Sequence, residues 1–198
     1  MKKLSTYLFL IFFSFQVPSW ADDISDFQIE GMSIGDSALD YFFEEKILNN
    51  RATYFKNKTY TPVEIFYEKS FEIYDAVQFG YKTGDKNYTI LGLAGNIDYP
   101  NNIKPCYKKM DEIVTELTRL FKNIAQITEK ETEVSTIDKP GDTKKVSVAY
   151  WFDSKDVVVV ACYDYSKKIG KKHGWIDNLR IGLVSSEFSK WLNTEAYK

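Results

Sequence analysis

The stretch that decides the fold is residues 71–99, FEIYDAVQFGYKTGDKNYTILGLAGNIDY. In its first half Phe71, Ile73, Asp75, Val77, Phe79 and Tyr81 alternate with Glu72, Tyr74, Ala76, Gln78, Gly80 and Lys82. A period of two sends successive side chains to opposite faces of a strand. Thr83-Gly84-Asp85-Lys86-Asn87 is turn chemistry, and Tyr88 to Ile97 returns as a second strand. Strands joined by so short a turn run antiparallel. The stretch therefore predicts a β-hairpin, closed off by Pro100-Asn101-Asn102.

Beyond the hairpin the period changes. Cys106, Met110, Ile113, Val114, Leu117, Leu120, Phe121 and Ile124 recur at helical spacing, with charged residues between them. Pro105 suits the first turn of that helix. Its apolar stripe reads as core rather than as a cofactor site. Residues 128–145 are polar and carry Pro140-Gly141, which predicts an edge strand or a loop. Val146 to Phe152 and Val157 to Tyr163 form a second hairpin around Asp153-Ser154-Lys155-Asp156. Trp175, Leu179, Ile181 and Leu183 give a last strand, and Phe188, Trp191 and Leu192 a short closing helix.

On the N-terminal side, Ser33 reads as the N-cap of a first helix, with Asp36 reaching back to it. Ile34, Ala38, Tyr41 and Phe42 supply that helix with an apolar stripe, widened by Leu39, Phe43 and Ile47, up to Asn49-Asn50. From there to Thr61 the chain is aromatic without a period. The expected architecture is α+β: an antiparallel β-sheet with helices packed on one face, as a single domain over 22–198.

The chain of 198 residues opens MKKLSTYLFLIFFSFQVPSWADD. Lys2 and Lys3, the apolar run Tyr7 to Phe15, and the small residues Ser19 and Ala21 are the three parts of a secretory signal peptide, residues 1–21. The apolar run is short of the roughly 20 residues that span a bilayer. The expectation is a soluble periplasmic or extracellular protein, with no transmembrane segment after cleavage. Loss of Lys2 and Lys3 leaves 24 basic residues of the 26 against 28 acidic ones. A mildly acidic chain with interspersed charges has no bulk attraction for nucleic acid or anionic lipid. In an oxidising compartment Cys106 and Cys162 are expected to form one disulfide, tying the long helix to the second hairpin. Two thiols without ligand-type spacing imply no metal site, and no motif implies a cofactor.

Chemistry is sparse. Gly35-Asp36-Ser37 resembles the nucleophile triplet of GDSL-type serine esterases. That family needs a histidine base in an Asp-x-x-His pattern, and the one histidine, His173, has Gly170 three residues before it. The family's oxyanion Gly-x-Asn-Asp has no counterpart either; Gly95-Asn96-Ile97-Asp98 is out of register. A serine at a helix start is the simpler reading, so no catalytic residue is assigned, and a small secreted hydrolase stands only as the alternative. Lys167, Lys168, Lys171, Lys172 and His173 concentrate positive charge in a Lys/Gly loop, which is either an anion-binding loop or a solvated hairpin tip. Tyr54, Phe55, Tyr60, Phe66 and Tyr67 either line a groove for a sugar, peptide or partner, or pack over the core.

Three stretches, Ile29 to Ser37, Cys106 to Val114 and Asp177 to Ile181, together resemble a group of uncharacterised exported proteins from marine alphaproteobacteria with AT-rich genomes. That resemblance implies export and no particular activity. Gly31-Met32-Ser33 is also similar to the helix cap of BamE-type outer-membrane assembly domains, although the lipidation cysteine of those proteins is missing. The functional expectation is a non-enzymatic exported protein that binds a small ligand or an envelope protein.

Overall fold

The computed structural model describes residues 24–198 except 101, 136, 137 and 139–141. The expected signal peptide at 1–21 and the Pro140-Gly141 pair lie outside the described residues. Eight strands form one antiparallel sheet: β1 Tyr60–Phe66, β2 Ala76–Lys82, β3 Gly92–Asp98, β4 Ala125–Ile127, β5 Glu131–Val134, β6 Lys144–Phe152, β7 Val157–Asp164 and β8 Asn178–Val184. Their order across the sheet is β1-β2-β3-β8-β7-β6-β4, with β5 also paired to β6. The helices are α1 Glu44–Asn49, α2 Lys104–Phe121, α3 Lys167–His173 and α4 Ser186–Thr194.

Both hairpins stand where the alternation places them. β2 pairs β3 with Gly80 opposite Gly92, and β6 pairs β7 with Trp151 opposite Val157. The first is shorter than the alternation implies. Phe71 to Asp75 do not join the sheet; they form a loop held by Glu30, whose carboxylate accepts the N–H groups of Glu72, Ile73 and Tyr74 at 2.9, 2.8 and 2.8 Å. β1 carries no clean alternation in its sequence, since Pro62 interrupts it. As an edge strand it tolerates the proline, and the chain at Asn50–Ala52 covers its outer side through Ala52 N–H to the Pro62 carbonyl and Glu64 N–H to the Asn50 carbonyl.

The expected α+β class, antiparallel sheet and disulfide are present. α2 lies on one face of the sheet, and Cys106 near its start is bonded to Cys162 of β7. Cys106, Met110, Ile113 and Phe121 are buried there against Leu93, Val158, Val160, Leu179 and Leu183, while Leu120 at the end of the stripe is exposed. α4 takes the opposite face. A Cβ added at Gly80 or Gly92 would meet the Phe188 ring at 2.4 and 2.6 Å, whereas one at Gly95, three residues on and so on the other side, would meet Tyr74. Phe188 and Trp191 build a second, smaller core with Phe55, Tyr60 and Ala196. Helices thus pack on both faces, not on one.

The N-terminal segment departs most from expectation. Ser33 does not cap a helix. Gly31 and Gly35 have φ of 80° and 95°, left-handed values that interrupt a right-handed helix. The chain pairs with the hairpin instead: Gly35 N–H donates to the Ile90 carbonyl and Ile90 N–H to the Asp36 carbonyl. The back-reach of Asp36 is real, since its Oδ2 accepts Ser33 N–H at 2.8 Å, but it closes a turn. Helical structure begins later, as a 3-10 turn at Ala38–Asp40 capped by Ser37 and then as α1. Of the expected stripe, Ala38, Phe42 and Ile47 are buried, while Leu39, Tyr41 and Phe43 face outward.

Candidate functional site

The triplet Gly35-Asp36-Ser37 is built as structure. Ser37 Oγ donates to the Asn87 carbonyl at 2.7 Å and accepts Leu39 N–H at 3.2 Å. A hydroxyl whose proton goes to a backbone carbonyl is not being activated by a base. Asp36 Oδ2 also accepts the Tyr41 hydroxyl. His173 sits at the end of α3, stacked on Trp175 with ring centres 4.7 Å apart.

The Lys/Gly loop is a helix, which corrects the reading of 167–173 as a loop. Ser166 caps it by accepting Ile169 N–H, Ile169 is its buried side chain, and Gly174 ends it at φ 71°. Lys171, Lys172 and His173 stand in the last turn, where positive charge complements the negative end of the helix dipole. Lys167 and Lys168 border a cleft of about 810 Å³ between the start of α2 and the start of α3. That cleft is not a basic pocket, because Asp138, Asp142, Asp164 and Asp177 share it with Lys104 and the two lysines. Three of its four carboxylates have internal partners. The Tyr107 hydroxyl donates to Asp164 at 3.0 Å, Tyr165 N–H to Asp177 at 2.8 Å and the Thr143 hydroxyl to Asp138 at 3.0 Å. Hydrogen bonds from Ser166 and Thr143 hold the Asp138 carboxyl below the usual range, while burial, with Asp164 nearby, raises that of Asp177. The five predicted basic residues therefore divide between two ends of a helix instead of converging. Among the described residues no group of His, Cys, Asp and Glu is placed to hold a metal ion.

A second arrangement lies on the sheet face that carries α4, beyond that helix. Register puts Glu64 of β1, Gln78 of β2, Ala94 and Asn96 of β3, and Arg180 and Gly182 of β8 on this face. The Arg180 guanidinium reaches over β3, where Ala94 is small, and donates to Gln78 Oε1. Gln78 Nε2 in turn donates to Glu64 Oε1 at 2.8 Å. Among the described residues Arg180 makes no ion pair with a carboxylate.

Tyrosines surround this relay. Burial and Glu64 push the Tyr54 phenol far above its ordinary value, and burial and Tyr163 push Tyr165 up to about 12. Burial raises Tyr197 also, and Arg180 lies near enough to oppose the rise in all three. These hydroxyls are therefore neutral and keep their protons at neutral pH. Rings continue outward from Tyr163: Tyr165 at 6.1 Å, Trp175 at 5.2 Å from Tyr165, then His173. Tyr197 packs on Phe55 at 5.3 Å and Phe55 on Tyr54 at 4.5 Å.

Of the aromatics singled out in the sequence, Phe55 and Tyr60 pack into the second core, whereas Tyr54, Phe66 and Tyr67 are exposed. Arg180, Gln78 and Glu64 carried no signal of their own. Each is an ordinary polar residue on the outward side of an alternating strand, and only the strand order brings them together.

Comparison of the chain with protein-family models, with curated protein sequences and with solved structures finds no match.

Proposed function

We propose that this is an exported, non-enzymatic binding protein that holds a ligand or an envelope partner on the Arg180 face of its sheet. One observation carries the reading: a guanidinium that among the described residues pairs with no carboxylate, set among neutral tyrosines and bordered by the exposed Tyr54 and Trp175. Arginine in such a place supplies directed donors, and tyrosine supplies apolar area with a polar tip at low entropic cost. The disulfide is consistent with an oxidising compartment, and the residues 1–21 with export. The resemblance to exported alphaproteobacterial proteins points the same way.

Two experiments test the two halves. Expression of the full chain in a bacterium should yield a periplasmic or secreted product whose mass begins at Asp22; an uncut product retained in the cytoplasm refutes export. Glycan and peptide arrays probed with the wild type and with Trp175→Ala should show signals that the substitution weakens. Arrays that stay blank, or signals indifferent to Trp175, refute the binding face.

A further inference from the structure

Beyond the end of α4 the Arg180 face is closed over by side chains: Gly182, Ala94 and Asn96 are buried and Arg180 is half-buried, while Tyr54, Trp175 and Tyr197 stay exposed. At Gly80 and Gly92 an added Cβ would collide with Phe188, yet at Gly182 on the same face it would meet only the Leu93 carbonyl oxygen, at 4.0 Å. Gly182 with Ala94 beside it forms a low floor next to Arg180. The accessible part of this region is its rim of aromatic rings, where affinity has to come from repeated contacts along a surface. The row Tyr163, Tyr165, Trp175, His173 offers such contacts, with Trp175 43 % exposed at its outer part.

We propose that the Arg180 face takes an acidic oligosaccharide, with a carboxylate on the guanidinium and sugar rings laid along the aromatic row. The proposal rests on the binding reading above and names its ligand class. Arginine has five N–H donors, of which Gln78 occupies one edge, and the planar fork fits a carboxylate. Glu64, the nearest acid on β1 and β2, has its inner oxygen taken by the Gln78 amide, so the neutral amide stands between it and the guanidinium. Hydroxyl-rich ligands need groups that both donate and accept, which phenols and side-chain amides do. Tyr54 and Tyr163, exposed and half-buried, provide them here. A peptide is the poorer fit. Its backbone seeks unpaired strand edges, and β3, β8 and β7 are paired on both sides.

Calorimetric titration of the purified protein with galacturonate, glucuronate and guluronate oligosaccharides tests this, beside their carboxyl-reduced forms and an oligo-aspartate peptide. At least one uronate should bind. Carboxyl reduction and Arg180→Gln should each weaken it at least about tenfold, and 0.5 M-class salt should weaken it too. Equal binding of reduced and acidic sugars, or preference for the peptide, overturns the ligand class; if Trp175→Ala still weakens that binding, the binding face itself survives. Absence of binding by all three uronates overturns the class, and blank arrays in addition overturn the face.

Discussion

Gly80, Gly92 and Gly182 share one face of the sheet and read alike in the sequence, but Gly182 differs from the other two in the fold. The first two make room for the Phe188 ring. Gly92→Ala should cost about 1–3 kcal/mol, the usual range for overpacking a filled site. Gly182→Ala should be neutral or stabilising by up to about 1 kcal/mol, because glycine in a strand is entropically costly. Urea unfolding of the two variants checks the contrast, and equal effects would contradict the packing described. Glu30 is the other residue whose weight was invisible. It sits at φ 51° and accepts three N–H groups from a loop more than 40 positions away. Glu30→Ala should cost about 3 kcal/mol by stranding those donors, read from the same unfolding curves. Short-range pattern shows a glutamate before a turn and cannot show which distant amides it meets.

Among the elements, α2 was legible because it has one dry and one wet side, which periodicity reports directly; the two hairpins were legible from their turn residues and apolar strands, although β2, β3 and β7 are largely buried on both faces. The errors have physical causes of the same kind. Ser33 to Ile47 carries a helical stripe, but left-handed glycines and the hydrogen bonds to Ile90 outweigh it. Residues 167–173 carry lysines and Gly170, which suggest a loop, yet a Ser166 cap, buried Ile169 and the Gly174 terminus are sufficient for two turns of helix. The tie between α2 and β7 spans 56 residues of sequence, so reduction should lower stability by about 4 kcal/mol in the chain-entropy treatment, seen as a lower melting temperature with reductant.

At the end of β3, Asp98 accepts the Tyr67 hydroxyl at 2.7 Å, and burial, with Asp75 nearby, raises its pKa. A carboxyl raised in the folded state weighs against the fold when ionised. Its contribution improves as pH falls through the folded value and is complete below the unfolded one. Asp98→Asn should therefore be at least as stable as the wild type at pH 7, and the difference should close on acidification. A difference that instead widens at low pH would contradict the assignment.

For the whole molecule, the sheet works as a partition. One face is closed by α2, the disulfide and the N-terminal segment; the other is covered by α4 over Gly80 and Gly92 and by side chains around the buried Ala94, Asn96 and Gly182. Class, disulfide and hairpins followed from the sequence. The crossover that puts β8 between β3 and β7 did not, because alternation says nothing about which strands become neighbours. That crossover carries Arg180 to within reach of Gln78 and sets Asn178 opposite Tyr163, so the candidate face was illegible for the same reason. The lysine cluster stood out in the sequence for its charge, but the sheet assembles the more distinctive chemistry from unremarked residues.

Amide NMR titration of the purified protein with a uronate oligosaccharide tests this account most directly. Shifts should concentrate at Asn96, Tyr163, Tyr165, Trp175, Arg180 and Gly182. Shifts confined to the cleft beside Lys167 and Lys168, or to the α2 face, would contradict it.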